Sequence, residues 1–332
     1  MKVLIAIARE NNARQDNADA SRCADSIKAA LSAKNIAADL FFVEPGDFLR
    51  SEKNLIRKIK NLNPDCVFNL FEGFSYDAQR EIDFAGILEK TGIAFTGNKS
   101  KVLEQCLDKN LCKNLLLKAG LPVPAGLCLK PGEGLSSSKL KLPVFIKPCC
   151  EDASVGIDKD SLVSNQEDLN KVINLKLQKH PEGLIIEEFL SGNEYNVSFI
   201  GQPPYEMLGI SIMDYSKVNA QKPFMSYEAK WERQSPDFNK LIPQVIAKNQ
   251  YSDLEKQIAD LCVQAARNIG CSGYFRVDLR QSNNKIFIID VNPNPDINND
   301  SGFARQAYSA GYTYEEIICK ILSLTMERLN LD

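Results

Sequence analysis

The chain has 332 residues, 44% of them hydrophobic and 25% charged, with a net charge of −3; this suits a globular protein of two or three domains and carries no bias toward nucleic acid or anionic membrane. Its 10 cysteines are scattered without a C-x-x-C pair and read as reduced thiols of a cytoplasmic protein. The single histidine, His180 in the polar stretch "QKHPEG", argues against a Ser-His-Asp triad or a multi-histidine zinc site.

The first element, "KVLIAIA" (2–8), is too short for the apolar region of a signal peptide and reads as a buried strand; no later run approaches the length that spans a bilayer. Asp16 or Asn17 can cap a helix whose apolar stripe is Ala20, Cys23, Ile27, Ala30 and Leu31. A strand (37–44), a helix (54–62), a strand (64–73), a helix (80–92) and a short strand (93–97) follow. Alternation of this kind predicts a parallel α/β unit. Next come a helix (103–120), an extended stretch (121–129), a Gly- and Ser-rich loop (130–139), the strand "LPVFIKP" (142–148), a helix (167–179) and the strand "GLIIEEFL" (183–190). "GNEYNVSFIG" (192–201) alternates like a half-buried strand. Residues 215–249 are polar, hold three prolines and lack periodicity, which suits an active-site lid. A helix (253–269), two strands (273–280 and 285–292) joined by "QSNN", and a last helix (313–329) complete the chain.

The hairpin carries the chemistry. Its second strand, within "IFIIDVNPNPD" (286–296), ends on a carboxylate, an amide and two prolines. Side chains alternate along a strand, so Arg276 shares a face with Asp278, and Asp290 shares one with Asn292. If both faces point the same way, two carboxylates and an amide oxygen converge at a spacing that admits a hard cation such as Mg²⁺. The competing interpretation is an Asp–Arg pair followed by a plain turn. Lys147 closes an apolar strand, where a lysine is costly unless it meets an anion. Lys109, taken alone, reads as a solvated helix lysine. "DASVG" (152–156) is a weak phosphate-loop signal, and "IIEEF" (185–189) could offer an adenosine edge or be ordinary surface charge.

In this order the pieces "LDKNLCKNLLLKAGLPVP", "LPVFIKPCCEDASVGI", "IIEEFLSGNEYNV", "YEAKW", "FRVDLR" and "IDVNPNPDINNDSGFARQAYSAG" resemble the ATP-grasp superfamily, and within it the D-alanine–D-alanine ligase-like carboxylate–amine ligases. The resemblance covers roughly residues 90–320. It implies an α/β and α+β architecture: an N-terminal parallel α/β domain (1–100), then a two-lobed ATP-grasp fold with a small central lobe (101–190) and a C-terminal lobe holding the metal site (191–332). By the same resemblance, Lys109 and Lys147 contact phosphates, and Ser154 lies in the loop that covers them. Glu187, Phe189 and Leu190 occupy adenine-hinge positions, and Glu194 the ribose contact. Lys230 belongs to the lid, and Arg276 steadies the anionic intermediate. Asp278, Asp290 and Asn292 hold two Mg²⁺ ions, for which Mn²⁺ could substitute, and Ser301 with Gly302 receives the second substrate's carboxylate.

The implied reaction is ADP-forming. ATP phosphorylates a carboxylate, an amine attacks the acyl phosphate, and an amide results. Such chemistry needs positioning and charge neutralisation more than acid–base groups, so a shortage of histidine is no obstacle. The sequence departs from the D-alanine ligases in its first domain. "ARENNARQDNADASR" lacks the family's glycine-rich motif with its glutamate, and "NLFEGFSYDAQRE" lacks the histidine of the family's His-Gly segment. Asp152 and Ala153 stand where Gly and Ser are usual, Asp290 where Glu is common, and Trp231 where Tyr is usual. The expectation is therefore a cytoplasmic ligase of small amino-acid-like molecules with a rebuilt first-substrate site, dimeric by analogy. The alternatives are a divergent true D-alanine–D-alanine ligase and a non-catalytic nucleotide-binding sensor or partner protein.

Overall fold

The computed structural model describes residues 1–10, 15–135, 140–215, 223–238, 240–248, 250 and 252–329, with the backbone alone for 15–18 and 329. Part of the expected Gly/Ser loop (136–139) and parts of the expected lid (216–222, 239, 249) lie outside the described residues, as do residues 11–14 of the rebuilt N-terminal segment. Among the described residues no helix is long and apolar enough to cross a membrane.

The N-terminal unit is a four-stranded parallel sheet ordered β2-β1-β3-β4, made of β1 (Lys2–Ala8), β2 (Ala37–Val43), β3 (Cys66–Asn69) and β4 (Ala94–Phe95). β1 is apolar from Val3 onward because it is covered on both faces, as central parallel strands are. Val3, Ile5 and Ile7 face a core with Ile27 and Leu31 of helix α1 (Gln15–Ala33), while Leu4 and Ala6 face Phe84 and Leu88 of α4 (Gln79–Thr91). Two short helices, α2 (Pro45–Leu49) and α3 (Glu52–Asn61), bridge β2 to β3; α2 has no counterpart among the expected elements.

The expected single helix over 103–120 is two: α5 (Ser100–Leu107) and α6 (Lys109–Lys118). Asp108 breaks it by taking an extended backbone and accepting the Asn110 and Leu111 N–H groups on its side chain, an N-cap that competes with continuation of the helix. An antiparallel sheet ordered β5-β8-β6-β7 follows, from β5 (Gly126–Leu129), β6 (Val144–Pro148), β7 (Leu162–Val163) and β8 (Leu184–Glu188), covered by α7 (Gln166–Lys179).

The third sheet is antiparallel with order β11-β10-β9-β12-β13: β9 (Glu194–Gly201), β10 (Glu206–Met213), β11 (Gln244–Val245), β12 (Gly273–Ser282) and β13 (Lys285–Asn292). The hairpin forms as expected, with a tip at Asn283 and Asn284, both in the left-handed region (φ 47° and 60°) that such tight turns require. Helix α9 (Ser252–Ile269) covers one face through Ile258, Cys262 and Ala266, alongside Cys112 and Leu116 of α6. Helix α10 (Gly302–Ser309) lies on β10, where the buried Gln306 amide accepts from Ser198 N (2.8 Å) and donates to Asn196 O (2.9 Å) and Ser211 Oγ (2.8 Å).

The last helix, α11 (Tyr314–Leu329), returns to the first sheet, where Ile317, Ile318 and Ile321 join its core and Arg328 donates to Phe95 O (2.6 Å) and Gly97 O (2.9 Å). The loop after β13 is clamped to the same place. Asn98 donates through Nδ2 to Pro293 O, and its backbone N–H to Asn294 Oδ1 (2.9 Å). A Cβ on Gly97 would lie 2.6 Å from that amide oxygen, and its φ of +85° suits glycine alone. The stiff "NPNP" exit of β13 thus joins the first sheet to the third.

Candidate active site

β12 and β13 pair with Asp278 directly opposite Asp290 and Arg276 opposite Asn292, the convergence expected of the hairpin. The register slips between Asp278 and Leu279, so Ile289 is an extra residue in β13. Bulges of this kind cluster near active sites because they free a backbone group and re-aim side chains. The Ile289 carbonyl is such a group: it accepts from Lys147 Nζ at 3.2 Å.

Asp278 is heavily engaged. Its two oxygens take Arg276 Nε (2.7 Å) and Nη2 (2.8 Å) in a fork, plus Asn196 Nδ2 (2.7 Å) and Asn292 Nδ2 (2.9 Å). Burial works against the Arg276 charge, yet Asp278 beside it holds the guanidinium firmly protonated. The Asp–Arg pair weighed in the sequence is therefore real, and a cavity of about 300 Å³ opens beside it. Asp290 is less satisfied. Its nearest cation, Lys109 Nζ, is 3.6 Å away, and burial raises its carboxyl above the ordinary aspartate range despite Lys109 and Lys147. That is a carboxylate short of positive charge.

Lys109 and Lys147 enter the same cavity from α6 and β6. Lys109 is buried, not solvated as its helix alone suggests, and bonds Asp152 Oδ1 at 2.6 Å. Lys147 Nζ lies 3.1 Å from Glu187 Oε1, whose other oxygen takes Lys113 Nζ at 3.0 Å. Burial alone would raise the Glu187 carboxyl, but the two lysines overcome it and hold the group below the ordinary glutamate range.

The segment after Lys147 turns back through Ala153 (φ 52°), Ser154 (φ 66°) and Gly156 (φ 73°). Two successive non-glycine residues in the left-handed region are strained, and strain of this kind persists where neighbours enforce it. Here the neighbours come from the segment expected to be a lid. The indole of Trp231, in helix α8 (Tyr227–Trp231), donates to Ala153 O (2.9 Å), and Tyr227 N donates to Ile157 O (3.0 Å). Lys230 lines the cavity from the same segment, its ammonium disfavoured by burial and by the Arg276 charge.

At the other end, Glu187, Phe189, Leu190 and Glu194 line the wall beside Phe145. The Phe145 and Phe189 rings lie 6.1 Å apart in direct contact and make this wall apolar. Arg280, which the sequence reading did not single out, sits 4.8 Å over the Phe189 ring and 3.3 Å from Glu194 Oε2, which also accepts from Tyr215 OH (2.7 Å). A signal existed in "FRVDLR", since Arg280 continues the i, i+2 series of Arg276 and Asp278 along one strand face.

The end of the cavity nearest the first sheet is acidic, with Asp19, Glu72, Glu81 and Asp296 facing Lys230 and Arg276. Burial, then Asp152, pushes the Glu81 carboxyl up to about 8, against the opposing bond from Asn294 Nδ2 (3.1 Å). Between the ordinary glutamate value of 4.5 and about 8, the folded chain keeps a proton that the unfolded chain releases, so this group makes stability fall as pH rises. Glu81→Gln should therefore melt near the parent at about pH 5 and above it at about pH 9; parallel melting curves across that range would refute the assignment. Ser301 and Gly302 do not line this cavity. Ser301 is buried and its hydroxyl accepts from Ala304 N (3.1 Å) as the N-cap of α10.

Two carboxylates with an amide, and no imidazole or thiol, form an oxygen-rich donor set that suits a hard divalent cation. The under-neutralised Asp290 fits that need, and two lysines with an arginine fit a polyphosphate held alongside.

A family model described as "D-ala D-ala ligase C-terminus" matches residues 115–323. A D-alanine–D-alanine ligase B of Chromobacterium violaceum is 28% identical over 284 residues, 84% of this chain and 86% of the relative. The crystal structure of a D-alanine–D-alanine ligase from Bacillus anthracis superposes with a TM-score of 0.80 at 19% identity, covering 100% of this chain and 99% of that one. The VanG D-Ala:D-Ser ligase of Enterococcus faecalis gives 0.74 at 18% identity, covering 98% and 99%.

Proposed function

The chain belongs to the D-alanine–D-alanine ligase family of ATP-dependent carboxylate–amine ligases, and from that premise we propose that it joins two amino-acid-like substrates into a dipeptide or related amide. ATP is used with Mg²⁺ and leaves as ADP. In our reading the site holds two ions, and the enzyme works in the cytoplasm as a homodimer. The carrying observation is the hairpin register that sets Asp278 opposite Asp290 beside Lys109, Lys147 and Arg276 in one cavity.

Asp278, Asp290 and Asn292 would hold the metal, which neutralises the triphosphate oxygens. Lys109 and Lys147 position the phosphates, and Ser154 lies in the strained loop above them. Phe189 and Leu190 flank the adenine, with the Glu187 backbone beside it, since the Glu187 carboxylate is already taken by Lys113 and Lys147. Glu194, oriented by Arg280 and Tyr215, faces the ribose. Arg276 and Lys230 face the acidic end of the cavity, where they can stabilise the phosphorylated carboxylate. The Trp231–Ala153 bond draws lid and loop together and keeps water from that intermediate. Ser301 and Gly302, at the start of α10, remain our assignment for the second substrate's carboxylate, reached through the Gly302 N–H because the Ser301 hydroxyl oxygen caps its helix and the Ser301 N–H donates to Asn298 O.

The names of the relatives favour D-alanine as the narrower reading, while the first-domain departures favour a different first substrate. Incubation with Mg-ATP and pooled D- and L-amino acids decides between them, with phosphate release and product mass read together. A D-alanyl-D-alanine mass supports the narrower reading and a mixed product the broader one. Tight ATP binding with no phosphate release from any pool would sink both in favour of a sensor.

A further inference from the structure

We propose that Asp108, Cys149 and Cys150, with Cys128 at their edge, form a binding site for a soft divalent cation of the zinc or cadmium type, separate from the cavity described above. One ligand atom from each of Asp108, Cys149 and Cys150 lies within 4.8 Å of the other two, and among the described residues this is the one such group. Cys149 Sγ is 3.7 Å from Asp108 Oδ1 and 3.7 Å from Cys128 Sγ. Zinc–sulfur bonds of about 2.3 Å in a tetrahedron set sulfur atoms about 3.8 Å apart, so the Cys128–Cys149 spacing already matches two thiolates on one ion. None of the four residues lines the nucleotide-sized cavity.

The fold builds this cluster in advance. Asp108 is held by the two N–H groups it caps at the start of α6. Lys109 N donates to Cys149 O (3.0 Å), and Cys149 N donates to Gly183 O (3.0 Å), which fixes the Cys149 segment against both. Cys149 is buried, while Cys128, Cys150 and Asp108 are half-buried, so an ion can enter. Packing does not account for the thiols. Cys66, Cys262 and Cys271 sit in apolar clusters, whereas Cys128, Cys149 and Cys150 belong to none and gather at a carboxylate. Binding would replace one proton on each ligating thiol with a metal–sulfur bond, with no change of oxidation state, and so tighten as pH rises. It would also tie together the segments that carry Lys109 and Lys147.

The test uses reduced, metal-free full-length protein titrated with Cd²⁺, following the ultraviolet sulfur-to-cadmium charge-transfer band, with affinity from competition against a chromophoric chelator. The expected result is saturation at one equivalent in the parent and in Cys319→Ser, a thiol on α11 outside the cluster. The double variant Cys149→Ser/Cys150→Ser should lose the band and at least about a hundredfold in affinity. Asp108→Asn keeps an N-capping oxygen and the fold but should weaken binding at least about tenfold. No band in the parent, an equal band in a folded double variant, or unchanged affinity in Asp108→Asn overturns the proposal. None of these readouts depends on ligase activity.

Discussion

Asp290→Asn should cut Mg-ATP-dependent turnover by roughly a hundred- to a thousandfold, the scale seen when one preorganised charge-stabilising group is removed. Thermal stability near pH 7 should stay level or rise. The reason for the split lies in the surroundings of Asp290, where burial disfavours the charge and the closest lysine is 3.6 Å away. Asparagine removes a carboxylate that the fold itself holds poorly. Asp278→Asn should be as inactive but also less stable by about 3–5 kcal/mol, because it strands the Arg276 guanidinium that now forks onto Asp278. Phosphate release and melting curves on both variants check the pair. An active, Mg-dependent Asp290→Asn protein removes the metal assignment.

Lys147→Ala should raise the KM for ATP by roughly a hundredfold, through loss of a charge-assisted contact to phosphate in a buried site. The alternative is that Lys147 merely neutralises Glu187, which it contacts at 3.1 Å. Lys113→Ala separates the two, since Lys113 bonds the other Glu187 oxygen at 3.0 Å but does not line the main cavity. Both variants should weaken the hold that keeps the Glu187 carboxyl below its ordinary range. A depressed carboxyl stabilises the fold above the ordinary glutamate range and loses that contribution as pH falls, so both variants should be less stable than the parent near neutral pH and lose less stability than it does on acidification. Only Lys147→Ala should change the ATP dependence. Equal KM values for the two would assign Lys147 to structure.

The sequence and the structure agree most closely where a pattern is local. The 2-residue period of "FRVDLR" and "KIFIIDVN" placed both carboxylates on the hairpin, and the Asn-Asn tip supplied its turn. They differ where a side chain bonds its own backbone or a distant strand. Asp108 looks helical by periodicity and instead ends one helix and caps the next. Lys109 looks solvated on its helix and is buried because Asp152 and Asp290 come to it from other elements.

What the chain alone determined, then, is the order of most of its elements (not α2, β10 or α10), the family resemblance and the residue types of a metal–phosphate site, since these follow from short-range alternation and from motifs a few residues long. Only the tertiary structure decided which charges those residues meet. The register slip at Ile289 frees a carbonyl for Lys147, Arg276 takes Asp278 while Asp290 is left short of cations, and Glu187 falls between two lysines. Apart from the Arg276–Asp278 pair, which lies two residues apart on one strand, each of these depends on segments far apart in sequence coming within about 4 Å, where Coulomb energy in a buried site is large enough to set protonation. No local pattern encodes that distance.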